Sequence, residues 1–201
     1  MSIEGIKRKL QGMISPRRFT HSVNVMETAE QLAHKYGEDV EKAALAGLVH
    51  DCAKGLAPDV TFDLCKKYGI IIDEIMRKEP SLLHGMVGSC LARDVFGIDC
   101  PDLLAAIADH TMGRPGMDKL SRIVFIADYI EPGRDFPGIE KIAGAAQESL
   151  EKAIVAGIDC TIADILQKGK LLHPNTVETR NWALGLLESG EVRYGKVQTE
   201  K

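Results

Sequence analysis

The stretch "AALAGLVHDCAKGL", residues 43–56, places a run of small apolar side chains ahead of an adjacent histidine and aspartate, His50 and Asp51. Ala43, Ala46, Gly47 and His50 recur at spacings of three and four, so they share one face of a helix. Side chains this small let another backbone come close and leave room around an imidazole. Neighbouring helical residues diverge by about 100°, so Asp51 does not share that face. The pair is therefore either two unrelated polar residues at a helix end or two arms reaching into one site.

The same helical periodicity runs through most of the chain, while alternating β-branched runs and Asn-Gly or Asp-Gly hairpin turns are missing from the sequence. Helices are predicted near 2–13, 16–36, 39–53, 58–68, 70–78, 84–96, 101–112, 118–130, 139–167 (whole or broken) and 175–189. Turn chemistry falls between them: "SPRR" with Ser15 as N-cap and Pro16 at N1, then "YGED", "APDV", "KYGI", "FGIDCPD" and "EPGRDFPG". "NTVE", residues 175–178, offers a capping box for the last helix. The expected fold is all-α, a single compact domain over 1–190 with a frayed tail over 191–201.

Composition narrows the function classes. The chain has 201 residues, 45% apolar and 27% charged, the balance of an ordinary soluble domain. A net charge of −4 leaves no broad electrostatic case for nucleic acid, so an anionic ligand must be met by local cations or a metal. No apolar run approaches the ~18 residues that span a bilayer, and "MSIEGIKRKLQGMI" reads as an amphipathic helix, not a signal peptide. Five cysteines (Cys52, Cys65, Cys90, Cys100, Cys160) without CxxC spacing argue against disulfides or cysteine-bound zinc, and for reduced thiols in a cytoplasm. Cys52 reads as a small packed thiol.

Other ionisable residues also fall on apolar faces. His21 stacks one turn before Val25, His110 continues the stripe of Leu103, Ala106 and Ile107, and His84 opens a helix carrying Gly88, Leu91, Ala92 and Val95 on its near face. Asp128 follows Val124 and Leu120 on one side of "LSRIVFIADYI". A buried carboxylate is costly unless paired or metal-bound. Four histidines and two aspartates pointing inward from separate helices find a common explanation in a shared metal site, since imidazole and carboxylate suit Fe, Mn, Co, Ni or Zn. His34, beside Lys35 near a helix end, reads as solvated and stands outside the group.

The order H…HD…H…H…D resembles the HD-domain metal-dependent phosphohydrolases. The flanking segments "RFTHSVNV", "ALAGLVHDCAKG", "LLHGMVG", "IADHTMG", "IADYIEPGRDFPG" and "LHPNTVETRN" are similar to those of YqeK-type symmetrical bis(5'-nucleosyl)-tetraphosphatases. The resemblance runs from about Arg18 to Asn181, with the phosphohydrolase core over about 18–131 and the C-terminal helices completing the pocket. It implies iron, one or two ions, and hydrolysis of diadenosine tetraphosphate to two ADP. His21, His50, Asp51 and Asp128 would hold the first metal. His84 and His110 would complete a second site bridged by Asp51, or bind phosphate directly.

The expected chemistry follows from a cation that lowers the pKa of bound water from about 15.7 towards ~7 and polarises a phosphoryl oxygen. Charge building on the equatorial oxygens needs fixed cations. Lys54, three residues past Asp51, is one candidate, or else a solvated lysine at a helix end. Arg134, past the Pro132-Gly133 turn, is another, with bidentate phosphate contact its natural use. Thr111 could donate to a phosphate or be an ordinary helix-end threonine. His173, held extended by Pro174, could receive phosphate at the next helix start or simply cap it. Asp109 could orient a ligand histidine, and Arg180 reads as structural. Phe62, Tyr129 and Phe136 are candidates for base stacking. An HD-type nucleotide phosphatase, a cyclic-nucleotide phosphodiesterase or a non-catalytic nucleotide sensor are the competing readings. The expected partners are dinucleoside polyphosphate and ADP, with neither nucleic acid nor membrane, and with room for a homodimer.

Overall fold

The computed structural model of the chain describes residues 2–190, so the tail expected to fray, 191–201, lies outside the described residues. Among the described residues there are eleven α-helices and one short 3-10 turn, with no strand. The helices are α1 (Ile3–Gln11), α2 (Pro16–Tyr36), α3 (Val40–Val49), α4 (Pro58–Tyr68), α5 (Glu74–Lys78), α6 (His84–Phe96), α7 (Pro101–Asp109), α8 (Lys119–Ile130), α9 (Ile139–Glu148), α10 (Leu150–Gln167) and α11 (Pro174–Ser189). The 3-10 turn Pro80–Leu83 leads into α6. The all-α expectation holds.

The long helix α2 is the spine. Ser15 caps it by accepting from the Arg18 N–H, Pro16 opens it, and Gly37 closes it in the left-handed region at φ 65°. It packs on α3 and α8, α7 bridges α6 and α8, and α10 holds α9 and α11 against the other side of α8. The crossing of α2 and α3 depends on Gly47. A Cβ there would lie 3.0 Å from the Val25 carbonyl and 3.1 Å from the Met26 Cα, so any larger residue would press the two backbones apart by a few tenths of an ångström. The main core fills between these helices, from Leu10 through Val25, Leu48 and Ile107 to Phe125 and Ile154. A smaller cluster, including Cys65, Leu83, Val87 and Met112, lies under α4–α6.

Several boundaries differ from the sequence expectation, each for a local reason. The helix predicted over 39–53 ends at Val49 and the one over 101–112 ends at Asp109, in both cases because a histidine follows as C-cap. Residues 139–167 form two helices, broken where Ser149 turns extended and accepts from the Lys152 N–H as the cap of α10. Only Glu74–Lys78 of the predicted 70–78 is helical, because Asp73 caps at that point by accepting from the Met76 N–H. The last helix starts at Pro174 with His173, not Asn175, as its N-cap.

Candidate metal centre

Three histidines are held by one repeated device. Nδ1 of His50 donates to the Gly47 carbonyl at 2.6 Å, that of His84 to the Ser81 carbonyl at 2.5 Å, and that of His110 to the Ile107 carbonyl at 2.7 Å. Each bond reaches back three residues at the end of a helix or 3-10 turn, which fixes the ring where the chain leaves its regular path. A carbonyl only accepts, so the hydrogen of each neutral ring sits on Nδ1 and Nε2 presents a bare lone pair. His21 reaches the same result through a carboxylate, its Nδ1 donating to Glu131 Oε1 at 3.0 Å.

All four Nε2 atoms converge on two carboxylates. Asp51 Oδ1 lies 3.2 Å from His84 Nε2 and 3.3 Å from His110 Nε2. Its other oxygen, Oδ2, lies 3.5 Å from His21 Nε2 and 3.6 Å from His50 Nε2. Asp128 Oδ1 stands 3.0 Å from His21 Nε2 and 3.7 Å from His50 Nε2. Asp51 and His50 are fully buried, His110 and His84 nearly so. The termination of α3 at Val49 therefore lets His50 and Asp51 enter one cluster despite their divergence on a helical wheel.

The donor set fits a cation. Nε2 of His84 and His110 face each other at 2.9 Å as bare acceptors, and buried Asp51 Oδ1 beside them has no hydrogen-bond partner. Burial lowers His50 to about 4 and lowers His84 as well, so protonation does not resolve the crowding of acceptors near neutral pH. Burial would push Asp51 and Asp128 up, but the imidazoles packed round them hold both carboxyls well below the usual range. In His21 burial is outweighed by Asp128, and the imidazole is raised. Three overlapping groups could each hold an ion: His21–His50–Asp51, His50–His110–Asp128 and Asp51–His84–His110. With one oxygen of Asp51 towards each histidine pair, the geometry suits either one ion or two bridged by this carboxylate.

Beside the cluster opens a cleft of about 910 Å³, lined among others by Arg17, Arg18, His21, Lys54, Arg134 and Phe136. Arg134 donates from Nε to the Asp128 carbonyl at 2.8 Å and from Nη2 to Asp128 Oδ1. Lys54 Nζ is 3.5 Å from Asp51 Oδ1. Thr111 Oγ1 lies 3.2 Å from His84 Nε2, so its hydroxyl also reaches the cluster. The remaining candidates stand elsewhere. His173 Nε2 meets Asp73 Oδ2 at 2.6 Å and its Nδ1 accepts from the Asn175 N–H, so it is engaged as the cap of α11. Asp109 pairs with Arg114 at 3.1 Å and orients no ligand histidine, because Ile107 serves His110 instead. Arg180 pairs with Asp159, and His34 is exposed. Phe62 packs on the smaller core cluster and Tyr129 bonds Thr161, whereas Phe136 alone of the three aromatics lines the cleft. Cys52 is a packed thiol as expected: Sγ donates to the Gly88 carbonyl at 3.5 Å and burial pushes it up to about 12.

Three contributors were not singled out from the sequence. Arg18 donates from Nη1 to Asp51 Oδ2 at 2.6 Å. Buried Glu131 accepts from His21, from Asn24 Nδ2 at 2.7 Å and from the Gly133 N–H at 2.5 Å. Asn24 and His21 sit three residues apart on α2, as do Glu131 and Asp128 at the end of α8. That spacing, a polar residue one turn from each expected ligand, is the signal that could have found Glu131 and Asn24.

The profile of the HD-domain family matches residues 18–133. Over 171 residues the chain is 39% identical to a protein of Halalkalibacterium halodurans named bis(5'-nucleosyl)-tetraphosphatase, symmetrical, covering 85% of this chain and 91% of the relative. A Bacillus subtilis protein of the same name is 34% identical over 84% of this chain and 90% of its own length. The crystal structure of a predicted HD superfamily hydrolase from Clostridium acetobutylicum, described as involved in NAD metabolism, superposes with a TM-score of 0.89 at 44% identity. That match covers 92% of this chain and 98% of the other. With the His and Asp cluster in place and similarity along most of its length, the chain belongs to the HD-domain family, alongside the symmetrical bis(5'-nucleosyl)-tetraphosphatases.

Proposed function

We propose that this protein hydrolyses diadenosine tetraphosphate symmetrically, water attacking one central phosphorus and two ADP being released. The observation that carries the reading is the convergence of four Nε2 atoms and two carboxylates beside a cationic cleft, in a chain so similar to proteins bearing that name. His21, His50, Asp51 and Asp128 are the residues to hold a divalent cation, and His84 and His110 either complete a second site with Asp51 or meet phosphate. When bound, the cation supplies a polarised phosphoryl oxygen and a more acidic water.

The chain's own groups do the rest. Backbone carbonyls at Gly47, Ser81 and Ile107 hold three rings in the required tautomer, and Glu131 does so for His21. Arg134 and Lys54, already poised on Asp128 and Asp51, face the equatorial oxygens where charge builds. Thr111 donates its hydroxyl to a phosphate oxygen. An all-nitrogen-and-oxygen donor set suits Fe, Mn, Co, Ni or Zn, with iron the ion the family resemblance implies. Among the described residues no helix is long and apolar enough to cross a membrane, and the five cysteines are free. Free thiols support a cytoplasmic setting.

The test joins elemental analysis of freshly purified protein with chromatography of products from a nucleotide panel. ADP as the sole product from diadenosine tetraphosphate is expected. AMP plus ATP would refute symmetric cleavage, and tight binding without turnover by metal-loaded protein would make the chain a sensor.

A further inference from the structure

The cleft holds more positive charge than the reaction centre uses. Arg17, Arg18, Lys54 and Arg134 line it against two carboxylates, Glu131 and Asp135. Glu131 is already engaged by His21, Asn24 and Gly133. At about 910 Å³ the cleft stands near the top of the ~300–1,000 Å³ range of small-molecule pockets. Its cations divide between the two carboxylates of the cluster. Arg134 rests on Asp128, while Arg18 rests on Asp51 Oδ2 at 2.6 Å with Lys54 at the other oxygen. His21 Nε2 touches both carboxylates, so Arg18 and Arg134 reach the centre at different ligands. Arg17 is exposed next to Arg18 and among the described residues makes no ion pair.

A substrate with a charge on every phosphoryl group and two nucleoside ends needs cations beyond the phosphorus under attack. On the reading given above, we propose that Arg17 and Arg18 seat the phosphates of the nucleoside diphosphate that leaves, while Arg134, at the other carboxylate, serves the phosphorus that is attacked. The oxygen of water bonds to one central phosphorus, and the bond from that phosphorus to the bridging oxygen breaks. The bridging oxygen departs with the electron pair as a terminal oxygen of the leaving ADP, and a proton of the water passes to solvent. Negative charge grows on that oxygen, so a guanidinium beside it lowers the barrier. Arg18 can do this because its fork carries five donors, and only Nη1 is engaged by Asp51.

The test uses full-length, metal-loaded protein with Arg17→Glu, Arg18→Lys and Arg18→Ala, reading metal content, KM and kcat for diadenosine tetraphosphate, and inhibition by ADP. Arg17→Glu leaves the packed cluster untouched and should fold and keep its metal. It should raise KM and weaken ADP inhibition about tenfold, the worth of a charge-assisted contact. Arg18→Ala should lose more, and Arg18→Lys should recover part of the loss. Unchanged KM and unchanged ADP inhibition in Arg17→Glu and Arg18→Lys would overturn the assignment. Should the unaltered protein release no ADP from the tetraphosphate, the proposed function falls. Calorimetric titration of ADP then decides this assignment separately, equal affinity in Arg17→Glu and the unaltered chain overturning it.

Discussion

Glu131→Gln is a sharp test of how the centre is built. The carboxylate of Glu131 accepts from three donors: His21 Nδ1 at 3.0 Å, Asn24 Nδ2 at 2.7 Å and the Gly133 N–H at 2.5 Å. Glutamine has the same shape but only one oxygen. Turned towards His21, that oxygen would leave the NH2 set against both Asn24 Nδ2 and the Gly133 N–H, so the less costly orientation keeps the oxygen on those two donors and sets the NH2 against His21 Nδ1. Leaving one buried donor unsatisfied costs about 1–3 kcal/mol. His21 can escape the clash only by moving its hydrogen to Nε2, which leaves Nδ1 to accept from the glutamine. That escape places an N–H where the lone pair towards Asp128 and Asp51 had been. Both routes weaken the ligand, and loss of such an orienting partner typically lowers metal affinity about 10–100-fold, or roughly 1.4–2.8 kcal/mol. The assay is competition with a coloured chelator, with circular dichroism to confirm that the helices persist. Unaltered metal affinity in a folded Glu131→Gln protein would refute the orienting role.

Other expectations can be checked alongside it. Asp51→Ala and His50→Ala should abolish both metal content and turnover with most helix retained by circular dichroism; full activity in metal-free Asp51→Ala would end the metal reading. Arg134→Ala should weaken nucleotide affinity or kcat while elemental analysis finds the metal still present. Gly47→Ala would press a methyl onto the α2 backbone at 3.0 Å and should cost about 1–3 kcal/mol in denaturant unfolding. Gly185→Ala has nothing within 4 Å and should leave stability equal or higher, which makes it the control. In chelated protein, His50 falls from 6.5 to about 4 on folding, so the unfolded chain takes up the proton first. Its stabilising share is whole above 6.5 and is lost as pH falls towards 4, at most about 3 kcal/mol. His84, also lowered, acts in the same sense, while raised His21 opposes it. Urea midpoints that do not fall between pH 7 and 4 would contradict this.

The residues of the buried cluster are more legible in the sequence than the groups that support them. An inward-facing histidine or aspartate on an apolar helix face carries a burial cost that periodicity exposes, so His21, His50, Asp51, His84, His110 and Asp128 could be grouped before any coordinates. Arg18 and Asn24 look like ordinary polar residues on a long helix, and their roles depend on tertiary contacts to Asp51 and Glu131 across 33 and 107 residues of sequence. The early ends of α3 and α7 were hidden for a related reason. Helical propensity continues past Val49 and Asp109, but histidine side chains bond back to the Gly47 and Ile107 carbonyls as the chain turns away. At His173 the choice between phosphate and cap turns on Asp73, one hundred residues away in the chain.

Cys52 sits immediately beside Asp51 in the chain, yet its thiol points to the Gly88 carbonyl and is pushed up to about 12. Sulfur binds metal as thiolate, and here the proton is retained throughout the physiological range. A cation entering the cluster is thus offered imidazole nitrogen and carboxylate oxygen while the one soft donor nearby is withheld. On the function proposed above, discrimination among metals at this centre would rest on ionic size and preferred coordination shape.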